Sequence, residues 1–178
     1  MPWIKHPTVL HGRVVDLVPL EKEHFEPLFA AAADKRLWEH IPVDCSEPDP
    51  FAKAYVRALA DRARGDQYPF VIVHRSSRRI IGSTRLFEIF PDDRKLEIGW
   101  TWIAADHWGT AVNPECKLLL LTFCFEELTA RRVQLKTDEL NIRSRKAIED
   151  WRAVRGNIEK RQDKRERRVP ERRLLPHY

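Results

Sequence analysis

The sequence predicts a mixed α/β domain built on one mostly antiparallel sheet with a single parallel pair of strands. Three observations predict it. Three strand-like runs, Tyr68–His74, Ile80–Phe90 and residues 96–103, are joined by short polar turns at 75–79 and 91–93, the pattern of an antiparallel meander. A strongly apolar helix follows the third run and ends near Leu128. The run RVQLKT at 132–137 comes next and can only return parallel to the strand before that helix.

Each element has a local reason. Residues 14–19 alternate enough for a first strand, ended by Pro19. Residues 21–33 have helical spacing, with Phe25, Leu28, Phe29 and Ala32 on one face. The segment 34–50 is expected to be irregular, because Pro42, Pro48 and Pro50 exclude a continuous helix, while Leu37-Trp38 and Ile41-Pro42 suggest that it packs. Residues 51–64 read as a helix, with Tyr55, Leu59 and Ala63 at four-residue steps and Gly65 as its stop. Gly82 marks a bulge or a close approach within its strand. Residues 141–149 begin a last helix, with Asn141 as its cap and Ile142, Ala147 and Ile148 apolar. There is no internal repeat and no low-complexity linker before Trp151.

Composition narrows the class. A chain of 178 residues with 43% hydrophobic and 33% charged residues is most simply one soluble domain. No apolar run approaches the roughly 20 residues needed to span a bilayer. The N-terminal MPWIKHPTVLHG lacks the apolar core of a signal peptide. The three cysteines (Cys45, Cys116, Cys124) have no paired metal spacing, and His24, His40, His74 and His107 show no ligand spacing. The expectation is a cytoplasmic protein without a metal. The net charge of +5 invites a nucleic-acid partner, but its distribution argues against one. Residues 151–178 hold ten Lys/Arg and four Asp/Glu, whereas residues 1–150 hold 22 basic and 23 acidic residues. One tail makes the protein basic, not a face of the fold.

The chemistry concentrates in residues 96–128. A strand there feeds a turn carrying Trp108-Gly109-Thr110 at the start of a helix. The first N–H groups of a helix lack internal partners and its dipole places positive charge there, so this is an anion site in waiting. The ordered set Leu17-Val18-Pro19-Leu20 with His24, Ile81-Gly82-Ser83-Thr84, Leu96 to Trp100, Trp108-Gly109-Thr110, Asn113 through Lys117, and Asn141 to Arg145 with Ala147-Ile148 resembles the GNAT superfamily of acyl-CoA-dependent N-acetyltransferases. Within it, the chain resembles the branch that includes the ribosomal-protein alanine acetyltransferases. The resemblance covers about residues 9 to 150.

The resemblance implies a GNAT-like sheet with helices on both faces, acetyl-CoA as acyl donor and a primary amine as acceptor, either a protein N-terminus or a small molecule. In the family's pyrophosphate loop Gly109 and Ala111 match, while Asp106 stands where Arg or Gln is usual. His107, Trp108, Gly109, Thr110, Ala111 and Val112 are then expected to cradle the pyrophosphate. Backbone around Trp102 and Ile103 is expected to polarise the thioester carbonyl, and Asn141 to bond the pantetheine arm. Glu97 is the candidate base, acting through water, and Ser144 the candidate group near the sulfur. No nucleophile-plus-base signature calls for a covalent intermediate, so direct transfer is the simpler mechanism.

Structural readings stand beside these roles. Gly109 can be an ordinary loop glycine, Glu97 a surface carboxylate paired with Arg94 or Lys95, and Ser144 and Asn141 helix-capping residues. Trp100 and Trp102, at alternate positions of one strand, share a face and pack the core or line the acceptor cleft. A degenerate, non-catalytic relative that keeps the fold or CoA binding is the alternative function, and nucleic-acid binding through the tail is the third. Monomer and homodimer both remain open.

Residues 151–178 do not continue the family pattern. They lack the glycine turn and alternating strands expected after Ile148, and they scatter arginine densely. A genuine basic tail, partly helical or disordered, is one reading; a reading-frame change near Trp151 is the favoured one. Synonymous codons for these residues, read from the second base, yield GAQFEGILRKDRIRENGGFPKDVYYRI, which has a glycine-alanine turn, a strand, an Asn-Gly-Gly hairpin turn and a final aromatic strand. On that reading residues 1–150 are an incomplete domain whose last strands are missing.

Overall fold

The computed structural model describes residues 2–138 and 140–150. Its strands are β1 (Leu10–His11), β2 (Val15–Pro19), β3 (Tyr68–His74), β4 (Ile80–Phe90), β5 (Lys95–Ile103) and β6 (Arg132–Leu135). They lie in sequence order in one sheet. Every pair is antiparallel except β5 with β6, which run parallel in the register Lys95↔Arg132 to Ile98↔Leu135. The meander and the parallel return are therefore as the turns and the intervening helix require. The two-residue β1, paired Leu10↔Leu17, is too short to show a period in the sequence. The basic segment from Trp151 onward, with its frame-change reading, lies outside the described residues.

The helices are α1 (Phe25–Ala32), α2 (Pro48–Arg64), α3 (Val112–Thr122) and α4 (Ile142–Asp150). A 3-10 turn, Lys22–His24, leads into α1, and a wider five-residue turn, Phe123–Glu127, extends α3. The second helix begins three residues before the expected position. Pro48 and Pro50 fall in its first turn, where a missing N–H costs no helical bond, so they start the helix instead of excluding it. Gly65 ends it at φ +81°, with its N–H bonded back to the Arg62 carbonyl. Within 34–50 a short turn, Lys35–Leu37, is capped by Asp34, and Leu37 and Trp38 are buried as expected.

Two cores cover the two faces of the sheet. On one face Leu17, Phe70, Ile72, Leu96 and Ile98 pack with Val112, Cys116 and Leu120 of α3. On the other Val71 and Trp102 pack with Leu28 of α1 and Phe51 and Tyr55 of α2. The alternation along β3, with Phe70 and Ile72 on one side and Val71 on the other, is the pleat expressed as burial. Helices thus occupy both faces. Glu115 ties α3 to the sheet: its carboxylate accepts the backbone N–H groups of Arg13, Val14 and Val15 at 2.8, 2.6 and 2.7 Å.

Candidate active site

The second half of β5 departs from regular pairing in two ways. Its pairing with β6 stops at Ile98↔Leu135, so Gly99 to Ile103 carry no strand on that side among the described residues. Its pairing with β4 shifts between Arg85↔Gly99 and Ser83↔Trp102, three steps on β5 against two on β4. The extra residue is a bulge, and Trp100 sits there at φ +50°. The bulge reverses the alternation. Leu96, Ile98 and Ile103 therefore share the α3-side core, while Trp102 faces α2. Gly82 is the close-approach point: a Cβ there would lie 2.2 Å from the Trp102 carbonyl oxygen.

From Ile103 the chain passes through a 3-10 turn, Ala105–His107, into the glycine turn and α3. Gly109 has φ +71°, a conformation that favours glycine. The Thr110 hydroxyl donates to the His107 carbonyl at 2.7 Å and accepts the Val112 N–H at 3.3 Å, which fixes the turn on the helix. Among the described residues, the backbone N–H groups of Gly109, Thr110 and Ala111 have no acceptor. Thr110 and Ala111 are exposed, whereas the Val112 side chain is buried in the core, so Val112 can offer an anion only its backbone.

Charge at this turn is compatible with a pyrophosphate. The Asp106 side chain is 67% exposed and lies 3.8 Å from the His107 ring nitrogen Nε2. The Arg143 guanidinium of α4 lies 3.6 Å from the centroid of the Trp108 ring, placing a cation beside the loop. Trp108 is held in turn by an Nε1–H bond to the Ile103 carbonyl at 2.8 Å. Unpaired N–H donors at a helix start, an arginine beside them and a one-sided strand edge fit a CoA molecule: turn for phosphates, edge for the extended arm.

Trp102, Ile103, Trp108 and, through Arg143, α4 are thus brought together. Asn141 caps α4, its Oδ1 accepting the Ser144 N–H at 2.9 Å. That bond leaves the Asn141 amide NH₂ and the Ser144 hydroxyl available to a ligand.

Glu97 is elsewhere, and it is not a surface carboxylate. It is 3% exposed, opposite Phe87 and Gln134. Its charge partner is neither Arg94 nor Lys95 but Lys136, whose Nζ lies 2.5 Å from Oε2 and 3.0 Å from Glu88 Oε2. The Lys136 contact is close but poorly directed, leaving Glu97 Oε2 without an aligned hydrogen bond. Burial raises the Glu97 pKa above its ordinary value, with Lys136 opposing.

A cavity of about 460 Å³ opens on the α1–α2 side of this strand. Trp100 and Trp102 both line it, with Trp38, Phe51, Ser83 and Arg85. Trp102 also packs against Trp38, ring centroids 5.3 Å apart, so it serves core and cavity at once.

Three residues have roles that the sequence alone does not assign. Glu115 is the clasp on β1–β2 described above. Lys117 is buried in α3 and donates to the Thr101 hydroxyl at 2.7 Å, which meets Thr84 at 2.8 Å; burial lowers its pKa to about 8. A single lysine in the apolar run CKLLLL was the available signal. Arg85 enters the cavity from β4, and nothing in its local sequence marks it.

A sheet whose one parallel pair stops at Ile98↔Leu135, with a bulged strand leading to a helix N-terminus, is an arrangement of the acetyltransferase class. A family model described as "Acetyltransferase (GNAT) domain" matches residues 15–152, and the chain belongs to that family. Among solved structures, a GCN5-related N-acetyltransferase from Brucella melitensis aligns at 22% identity and TM-score 0.75, over 83% of this chain and 67% of that one. A T. thermophilus protein whose acetyltransferase assignment is provisional aligns at 30% identity and TM-score 0.68, over 83% and 76%. Mycobacterium smegmatis RimJ in complex with CoA-disulfide aligns at 18% identity and TM-score 0.68, over 81% and 74%, a likeness of fold. No curated protein matches significantly. Among the described residues there is no helix long and apolar enough to cross a membrane and no cluster of metal-ligating side chains.

Proposed function

We propose that residues 1–150 carry out direct transfer of an acetyl group from acetyl-CoA to a primary amine. The observation that carries this reading is the continuity of the one-sided edge of β5, Gly99 to Ile103, with the unpaired N–H groups of Gly109, Thr110 and Ala111. Bound acetyl-CoA would supply an activated acetyl thioester. The turn from His107 to Val112 would hold its pyrophosphate, with Arg143 adding charge. Backbone at Trp102-Ile103 would donate to the carbonyl oxygen on which negative charge grows. The Asn141 NH₂ would bond the arm, and the Ser144 hydroxyl would hold the proton for the departing sulfur.

Glu97 takes the proton of the incoming ammonium through water. Its raised pKa suits this, since a more basic carboxylate accepts a proton more readily. Activity then requires the deprotonated form and falls as the pH drops through a pKa above the usual carboxylate value of about 4.3. Thiol release against a panel of amines tests the reading. We expect Glu97→Gln to lower kcat by about 10²-fold, the size typical of a lost general base, and to abolish the acidic limb of the pH profile. An E97Q enzyme with the same pH profile and near-normal kcat removes Glu97 from the mechanism. The absence of thiol release with every amine of the panel removes the transfer itself.

A further inference from the structure

The cavity beside Trp102 contains a polar group that amine transfer alone does not require. Arg85 reaches into it from β4, with its Nη1 donating to Gln67 Oε1 at 2.9 Å and its guanidinium 5.1 Å from the Trp100 ring centroid. Its Nε–H is buried and has no acceptor. Asp61 is the one carboxylate in the cavity lining, and it is engaged by Arg57 at 3.7 Å and by a closer contact with Arg64. Arg85 makes no ion pair of its own among the described residues, and burial lowers its pKa to about 10. A guanidinium left this way is costly, because a buried donor without an acceptor forfeits its hydration. An anion bound in the cavity would offset the cost of burying the charge.

We propose that the acceptor is a small amine that also carries a carboxylate or equivalent oxyanion, and that this anion pairs with Arg85 inside the cavity. The inference rests on the acetyl-transfer reading above. Its geometry follows from the register. Ser83 stands opposite Trp102, where transfer takes place, and Arg85 is two residues farther along β4. Two residues of strand span about 7 Å, so an amine near Trp102 has Arg85 within reach of an anion on the same small molecule. The volume of about 460 Å³ falls in the range of small-molecule pockets. The aromatic walls at Trp38, Phe51, Trp100 and Trp102 suit an apolar body between the two polar ends. Arginine is the side chain whose fork matches a carboxylate, and Arg85 lines the cavity with no ion-pair partner of its own among the described residues. A protein N-terminus has no α-carboxylate beside its amine and, where its first side chain is not acidic, would leave Arg85 as it stands.

Calorimetric titration of the full chain, with and without CoA, tests this. The probes are L-phenylalanine, L-leucine and 4-aminobutyrate, each beside its primary amide, together with a tri-alanine amide. At least one acid is expected to bind tenfold or more tightly than its amide. That preference should fall below threefold in Arg85→Met and survive in part in Arg85→Lys, which keeps the charge without the fork. Should R85M fail to fold, R85K and R85Q give the same comparison. No acid preferred over its amide, an undiminished preference in the variants, or binding of the tripeptide amide alone overturns the inference. Acetyl-CoA titrated in parallel separates the two readings. Acetyl-CoA binding without acid preference overturns only the Arg85 site; acid preference without acetyl-CoA binding overturns only the transferase reading.

Discussion

Replacing Glu115 with alanine is expected to lower the unfolding free energy by about 2–4 kcal/mol, the scale of losing several hydrogen bonds to one charged acceptor. Its carboxylate accepts three consecutive backbone N–H groups at the start of β2. The site is built closely around it. A Cβ on Gly12 would lie 2.5 Å from Glu115 Oε2, so Gly12 makes room for the clasp. Burial raises the carboxyl pKa, but the three N–H bonds together outweigh it and the net shift is downward. With a folded pKa below the unfolded one, the stabilisation is fully present above the unfolded value and is lost as pH falls through the folded value. The gap between wild type and E115A in urea unfolding should therefore be full at pH 7 and shrink in acid below about pH 4. A gap under 1 kcal/mol at pH 7, or one unchanged by acid, contradicts this account of the clasp. Because Glu115 lies in the first turn of α3, the same substitution should also loosen the proposed phosphate turn.

Gly82→Ala should damage the transfer end of the site more directly. The added Cβ would stand 2.2 Å from the Trp102 carbonyl oxygen and 3.0 Å from the Ile103 Cα. Both contacts are with backbone, which cannot rotate away as a side chain would. β4 and β5 must separate where β5 already lacks a partner on its other side. Overpacking of this kind costs about 3 kcal/mol. Its effect should concentrate on acetyl-CoA, with binding weakened at least tenfold in whatever fraction folds, because Trp102-Ile103 is the proposed donor segment. Thermal unfolding and acetyl-CoA titration of G82A check the two halves. A variant with native stability and native affinity shows that the strands do not need this close approach.

What the sequence disclosed follows from how local each signal is. The meander was readable because its turns are short and polar and its strands long, and the parallel β6 followed from the helix that must precede it. Gly65, Gly82 and Gly109 were readable because each answers a backbone demand at its own position. The start of α2 lies earlier than the sequence predicts because proline, a breaker inside a helix, is harmless in a first turn. The site was legible along the cofactor loop, a contiguous stretch, and much less so where distant strands meet. The Glu97 partner, Lys136, is 39 positions away across a parallel pair. The bulge at Trp100 arises from β4–β5 register, and its positive φ falls on the tryptophan, not on the neighbouring Gly99. Arg85 looks like any strand arginine until Gln67, Trp100 and the second helix are placed around it.

The central claim is that the Gly109 turn and the free edge of β5 form a CoA site. Isothermal titration of the full chain with acetyl-CoA, beside Gly109→Val, tests it most directly. A Cβ at Gly109 meets nothing within 4 Å, so the strain of the substitution arises at its φ of +71°. That costs about 1–2 kcal/mol of backbone strain and displaces the turn, leaving the rest of the fold in place. The account predicts one-to-one binding to the wild type, at least tenfold weaker binding to G109V, and unfolding temperatures within a few degrees of each other. A folded wild-type sample that takes up no acetyl-CoA, or a G109V protein that binds it equally well, contradicts it.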